Sequence, residues 1–281
     1  MSSYLETPKR TTLAALRKMK AEGRKITMVT TYDYPSAVLA DRAGLPLVLV
    51  GDSVGMVVQG HDSTLPVTVD EMVYHTRMVA RGAGRAMVIA DLPFMAYANM
   101  EEGLRNAHRL MAEGGAQAIK MEGGAEMAPL VRRLTDNGIP VMAHIGLRPQ
   151  SQHQMGLRVQ ARDEAGIKAL MADARAHEAA GAFGLLLECI PAEVAQEVTR
   201  RFSPVTIGIG AGSGCDGQVQ VWHDLLGVYG TKPFKHAKCY ADVGSVTQAA
   251  LEAYRHEVET GSFPAEANTT HVDPAVVTSQ G

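Results

Sequence analysis

Five apolar runs in this chain each end on a polar, mostly ionisable residue. LPLVLVGDS closes on Asp52 and Ser53, MVIADLP on Asp91, AIKMEGG on Lys120 and Glu122, VMAHIG on His144, and LLLECIP on Glu188. An ionisable group at the mouth of a buried run is costly unless something pairs with it. Neighbouring strands lie about 4.8 Å apart, so Asp52, Asp91 and Glu122 on consecutive strands would converge and repel one another. A hard divalent cation relieves that repulsion, and an all-oxygen donor set suits Mg²⁺ or Mn²⁺. The plainer alternative is that each acid pairs with a local Arg or Lys, or caps a helix.

Lys120 and Glu122 are two residues apart and share one face of their strand, with Ile119 and Met121 turned to the other side. Lys120 can bind a substrate carboxylate, form a Schiff base, or simply neutralise the acids. Three carboxylates, one lysine and one Mg²⁺ sum to zero formal charge, a balance that admits an anionic oxo acid. Glu188 follows Leu185-Leu186-Leu187 and precedes Cys189-Ile190-Pro191. Such apolar company predicts a raised carboxyl pKa, which suits a general base or acid near neutrality. The alternative is a Glu turned outward as a helix cap. His144 reads either as a neutral hydrogen-bond donor lining the site or as a satisfied core histidine. Tyr32 and Asp33 end the run ITMVTTYD and can touch the same site. The glycine-rich run 207–218, IGIGAGSGCDGQ, is a tight turn or a phosphate loop, the turn being the simpler reading.

These groups need strands to carry them. After a lead-in over residues 1–10, TTLAALRKMKAEG predicts a helix capped by Thr11 or Thr12 and closed by Gly23. Strands then alternate with helices: ITMVTTYD, SAVLADRAG, LPLVLV, DEMVYHTRMVARGA, AMVIADLP, MEEGLRNAHRLMAEGG, AQAIKMEGG, MAPLVRRLTDNG, PVMAHIGL, EAGIKALMADARAHEAAG, AFGLLLECIP, AEVAQEVTRRF and VTIGIGAG. VQVWHDLLGVY reads equally as an eighth strand or a helical turn, and SVTQAALEAYRHEVETG as a final helix. This alternation implies right-handed βαβ units and a parallel sheet. It predicts a closed (β/α)8 TIM barrel. An open dinucleotide-binding sheet is disfavoured because no GxGxxG follows the first strand. No linker divides the chain, so one barrel domain over 1–281 is expected, with a short N-terminal helix and a loose tail from about Phe263. The long loops 59–68 and 149–162 follow strand C-termini, where barrels build their active sites.

The bulk numbers exclude several classes. With 281 residues, 46% hydrophobic and 20% charged, the chain has the composition of a soluble globular protein. A net charge of −3 without a basic block leaves no footprint for nucleic acid. No apolar run approaches the roughly 18 residues of a membrane span. MSSYLETPKRTT lacks an apolar signal core, which speaks against export. Cys189, Cys215 and Cys239 show no CxxC spacing, so three thiols in a reducing cytoplasm are expected.

The runs Val50–Met56 (VGDSVGM), Gln59–Val67 (QGHDSTLPV), Ala90–Pro93 (ADLP), Lys120–Gly124 (KMEGG), Pro140–Ser151 (PVMAHIGLRPQS), Leu187–Pro191 (LECIP) and Ile207–Gln220 (IGIGAGSGCDGQVQ) resemble the ketopantoate hydroxymethyltransferase family. The likeness runs in order from about Met28 to about Asp242. It implies a (β/α)8 barrel of the phosphoenolpyruvate/pyruvate type, assembled as a homodecamer of two pentameric rings. The first helix and the final helix, 245–261, are candidates for packing between subunits. The implied activity is transfer of a hydroxymethyl group from 5,10-methylenetetrahydrofolate to 3-methyl-2-oxobutanoate, by Mg²⁺-assisted enolate formation. The product is 2-dehydropantoate, in pantothenate biosynthesis. By position the resemblance implies Mg²⁺ on Asp52 and Asp91, with Glu122 in the metal site directly or through water. It implies Asp52, Ser53, Asp91 and Lys120 as ligands of the oxo acid, and Glu188 as the proton acceptor. One stretch departs from the family pattern. After Gln150-Ser151 the family commonly has a two-glycine turn and then QGR, whereas here Met155-Gly156-Leu157-Arg158 is shorter and Ala161 replaces a glycine.

Overall fold

Thr12 precedes the first apolar-periodic run, and its hydroxyl accepts from the Ala15 N–H, starting α1 (Leu13–Ala21). The computed structural model describes residues 10–230, 235–274 and 277, so most of the expected lead-in lies outside the described residues. β1 (Ile26–Thr30) leads to α2 (Tyr34–Arg42), and β2 (Leu47–Val50) to α3 (Val54–Val57) and α4 (Val69–Gly82). Next come β3 (Met87–Asp91), α5 (Met100–Ala112), β4 (Ala118–Glu122), α6 (Ala128–Asp136) and β5 (Val141–Gly146). α7 (Gln152–Met155), α8 (Glu164–Ala179), β6 (Gly184–Glu188), α9 (Ala192–Arg201) and β7 (Val205–Ile209) follow. β8 (Gly217–Gln220), α10 (Trp222–Leu226) and α11 (Val243–Thr260) complete the series. The ambiguous run around residue 220 thus divides into a strand and then a helical turn.

Local chemistry sets the strand-to-helix turns. At α2 the Asp33 carboxylate accepts from Ser36 N–H at 2.8 Å in a capping box, and Pro35 stands in the first turn. Thr68 and Glu71 form the same device at α4. Asp33 is therefore a helix cap, and β1 ends three residues earlier than the run ITMVTTYD suggests.

The eight strands close into one barrel in sequence order, every pairing parallel. Its interior is a single apolar cluster built from alternate strand positions, among them Met28, Leu49, Ile89, Met142, Leu186 and Ile207. At the floor, Lys20 of α1 reaches Asp216 at 2.9 Å and donates to the Phe202 and Pro204 carbonyls at 3.0 and 2.7 Å. The strand period of two carries the same inward face upward to Asp91, Lys120, Glu122, His144 and Glu188. Register fixes their neighbours: Asp91 lies opposite Lys120, Glu122 opposite His144, and Glu188 opposite Gly146. The C-terminal mouth of the barrel is thus a charged layer on an apolar plug, the layout expected for a barrel active site.

Packing divides the chain into two compact units, one of residues 1–222 with 235–237 and one of residues 223–234 with 238–281. The first holds the whole sheet. The second holds α11, whose N-cap Asp242 accepts from the Ser245 N–H and whose end is marked by left-handed Gly261. A short 3-10 turn, Glu266–Asn268, follows in the stretch expected to be loose. Among the described residues all three cysteines are free, and no helix is long and apolar enough to cross a membrane.

Candidate active site

Asp52, Asp91, Lys120, Glu122 and His144 are each at most 5% exposed, so this layer is a dry cluster of charge. Lys120 Nζ lies 2.5 Å from Asp91 Oδ2. Burial pushes the Lys120 amine down, but Asp91, Glu122 and Asp52 outweigh it and hold the group protonated, above its ordinary range. A protonated amine is no nucleophile, so the geometry disfavours the Schiff-base reading. Burial raises Asp91 even against the pull of Lys120, because Glu122 adds a like charge. Asp52 is raised further, first by burial and then by Asp91. Its backbone N–H points to Asp91 Oδ2 at 3.4 Å.

Glu122 behaves differently. Burial raises it, but His144 overcomes that, and the carboxyl ends below its usual value. Its Oε2 accepts the Gln150 backbone N–H at 3.0 Å. His144 stands between two acids, with Nδ1 at 3.4 Å from Glu122 Oε1 and Nε2 at 3.3 Å from Glu188 Oε2. Both contacts are within ion-pair range but are not aligned as hydrogen bonds. Burial and Lys120 disfavour the imidazolium, yet the two flanking carboxylates lift the His144 pKa to about 9. The reading of His144 as a neutral donor therefore gives way to a charged bridge between β4 and β6.

That charge has a pH signature. Because the folded pKa of about 9 lies above the ordinary 6.5, the His144 imidazolium stabilises the fold fully below 6.5. This contribution is lost as pH rises from 6.5 toward 9. Denaturation of metal-free protein across that range should show the gap between wild type and His144→Gln shrinking as pH rises. A pH-independent gap would contradict the charged bridge.

Glu188 opens toward solvent, its side chain 17% exposed. The leucines that flank it in sequence do not surround it as expected: Leu185 and Leu187 alternate to the opposite face, and the immediate neighbour is His144. Gly146 makes this approach feasible. Its φ is +94°, and a Cβ there would come within 2.4 Å of the Glu188 carbonyl. The next residue, Cys189, takes φ +47°, which points to backbone strain beside the site.

Ser53 stands beside Asp52, with its Oγ 2.8 Å from the Tyr32 hydroxyl, so Tyr32 does reach the site margin. Two groups were not singled out as site residues by sequence reasoning. Gln150 donates from Nε2 to Asp52 Oδ2 at 2.8 Å, and Tyr97 donates to Gln150 Oε1 at 2.5 Å. Both lie on loops, where no periodic pattern exposes a role; the placement of loop 149–162 at the barrel mouth was the available signal. In that loop Ala161 takes φ +52°, the conformation glycine favours, at the position where the family pattern has glycine. The glycine-rich run 207–218 forms a tight turn, where a Cβ on Gly212 would meet Ala192 at 2.4 Å and Gln218 Nε2 donates to the Gly212 carbonyl.

The donor set suits a hard cation. Asp91 Oδ1 and Glu122 Oε1 are buried without a hydrogen-bond partner. With all four acids ionised, Asp52, Asp91, Glu122 and Glu188 against Lys120 and the His144 imidazolium leave two negative charges, which one divalent ion would balance. Among the described residues no three His, Cys, Asp or Glu groups form a ready-made cage. Mg²⁺ does not need one, since it usually takes one or two carboxylates and completes its shell with water and substrate oxygens.

A model of the family described as ketopantoate hydroxymethyltransferase matches residues 10–266. A 3-methyl-2-oxobutanoate hydroxymethyltransferase of Gluconacetobacter diazotrophicus is 56% identical over 265 residues, 94% of this chain and 96% of that protein. The protein of that name in Chloroflexus aggregans is 54% identical over 265 residues, 94% of this chain and 95% of its own. Among solved structures, phosphonopyruvate hydrolase is similar at TM-score 0.61 and 15% identity, covering 96% of this chain and 95% of that one. A 2,3-dimethylmalate lyase of the PEP mutase/isocitrate lyase superfamily is similar at TM-score 0.57 and 18% identity, covering 95% and 98%. At such identities the solved structures speak for the fold alone, a closed (β/α)8 barrel. The match of sequence over most of the length decides the rest: the chain belongs to the ketopantoate hydroxymethyltransferase family.

Proposed function

We propose that the chain transfers a hydroxymethyl group from 5,10-methylenetetrahydrofolate to 3-methyl-2-oxobutanoate, giving 2-dehydropantoate in pantothenate biosynthesis. The observation that carries the chemistry is the placement of Glu188, a partly exposed carboxylate on the inward face of the barrel mouth, beside a buried layer rich in oxygen donors. Asp52 and Asp91 would hold Mg²⁺, with Glu122 contacting it directly or through water. When bound, the ion supplies Lewis acidity at the keto oxygen. Lys120, kept charged by its acidic neighbours, offers an ammonium to the substrate carboxylate. Ser53, with Asp52 and Asp91, lines the same oxo-acid position. Glu188 removes the proton from C3, and His144 holds that carboxylate on the inward face. Water cleaves the two carbon–nitrogen bonds of the methylene unit and frees tetrahydrofolate, the water hydrogens going to the two nitrogens and its oxygen to the one-carbon unit. The C3 carbanion bonds to that carbon, and Glu188 returns the C3 proton to the new alkoxide, giving the hydroxymethyl group. The test is product formation from 3-methyl-2-oxobutanoate and methylenetetrahydrofolate, with and without Mg²⁺. Mg²⁺-dependent 2-dehydropantoate is expected, and no product under either condition would refute the reading.

The second unit has no buried residue among those described, so it lacks a core of its own. Within it α11 runs 18 residues and leaves Val246, Leu251, Tyr254 and Val258 exposed. A helix bearing that much apolar surface gains stability mainly by packing. A homo-oligomer, a decamer by the family resemblance, supplies the packing from further copies. Light scattering should report a mass well above a dimer; a stable monomer would contradict this. The reading includes a cytoplasmic location, where the free thiols of Cys189, Cys215 and Cys239 would stay reduced.

A further inference from the structure

The loop after β3 and the loop after β5 meet on one buried amide. Gln150 is 6% exposed. Its Nε2 donates to Asp52 Oδ2 at 2.8 Å and to the Leu92 carbonyl at 3.0 Å. Its Oε1 accepts from the Tyr97 hydroxyl at 2.5 Å, and its backbone N–H donates to Glu122 Oε2 at 3.0 Å. The Leu92 carbonyl can only accept, so the amide has one permitted orientation; turned over, its oxygen would face two acceptors. Burial and the nearby carboxylates hold the Tyr97 phenol protonated, above its usual range, so it stays a donor to Gln150.

Asp52 needs such support. β2 ends at Val50, so no strand ladder fixes residue 52, whereas Asp91 belongs to β3 and is gripped by Lys120. We propose that Tyr97 and Gln150 act as a neutral brace that positions Asp52 and Glu122 for the divalent cation. A neutral donor orients a carboxylate without spending its charge, which stays available to the metal; a lysine or arginine in place of Gln150 would compete with the ion. Both are positioning residues, and the inference rests on the assignment of the cation to Asp52 and Asp91.

The experiment is calorimetric titration of Mg²⁺ into the full chain, with melting temperatures recorded alongside. Loss of a group that orients a metal ligand typically costs about 10–100-fold in affinity, so Gln150→Met should weaken Mg²⁺ by that amount. The metal-free melting temperature should fall as well, since Asp52 Oδ2, the Leu92 carbonyl and the Tyr97 hydroxyl lose a partner. Tyr97→Phe should weaken it about fivefold in the wild-type background and not at all in a Gln150→Met background, since it acts through the amide. Asp52→Asn serves as the control for the site itself. If Asp52→Asn loses Mg²⁺ but Gln150→Met binds within twofold of wild type, the brace is overturned and the cation site stands. If wild type takes up no Mg²⁺, the cation site and the brace both fall. Should Gln150→Met not fold, Tyr97→Phe keeps the ring volume and decides the matter: unchanged affinity overturns the brace.

Discussion

Glu188→Gln should reduce turnover by 10²–10⁴, about 3–5 kcal/mol of barrier, while binding of Mg²⁺ and of the oxo acid stays close to wild type. Glutamine keeps the shape and can still face His144, but it cannot take a proton. The separation of effects follows from position. Glu188 lies on β6, and the groups assigned to the cation lie at the ends of β2, β3 and β4. His144 is no replacement, because a pKa of about 9 leaves it already protonated at neutral pH. Steady-state kinetics with paired binding titrations check this. Turnover within tenfold of wild type would remove Glu188 from its role.

The second large effect is a contrast between two neighbouring acids. Asp91→Ala removes a proposed cation ligand and also strips Lys120 of the carboxylate 2.5 Å away, leaving a buried ammonium exposed to its own desolvation. Removing one partner of a buried pair costs about 3–5 kcal/mol, so both Mg²⁺ binding and fold stability should fall. Asp52→Asn should lose Mg²⁺ as well, but with the opposite effect on the metal-free fold. Asp52 is raised well above its usual range by burial and by Asp91, which means ionising it opposes folding. The sign follows: the unfolded state gives up this proton at lower pH than the folded state, so Asp52 lowers stability as pH rises past its unfolded value. Asparagine carries no charge there, and it can still accept from Gln150. Metal-free Asp52→Asn should therefore melt at or above wild type near neutral pH, while Asp91→Ala melts lower. Equal destabilisation of both would contradict the charge balance described for this layer.

How far the site could be read from the chain depended on how local its causes are. Strand alternation and the polar residue at each strand end follow from neighbours in sequence, so the barrel and the convergence of Asp91, Lys120, Glu122, His144 and Glu188 were legible. The protonation of His144 was not, because it is set by carboxylates brought to it by β4 and β6. Glu188 was placed correctly but its surroundings were not: a run of leucines in sequence becomes two residues outside the barrel wall and one inside. Asp33 looked like one more strand-end acid, yet Ser36 three residues on makes it a cap. Gln150 and Tyr97 sit on loops whose path is fixed by tertiary contacts, and no spacing rule brings residues 97 and 150 onto residue 52.

The central claim is that the barrel mouth removes the C3 proton of a 2-oxo acid and that Glu188 takes it. Exchange of the C3 hydrogen of 3-methyl-2-oxobutanoate with deuterated water, followed by NMR in the absence of folate, tests this step apart from the transfer that follows. With Mg²⁺, wild type should collapse the methyl doublet to a singlet as deuterium enters C3, and Glu188→Gln should do so far more slowly. A wild-type enzyme that forms product yet leaves C3 undeuterated, or a Glu188→Gln variant that exchanges at the wild-type rate, would contradict the account.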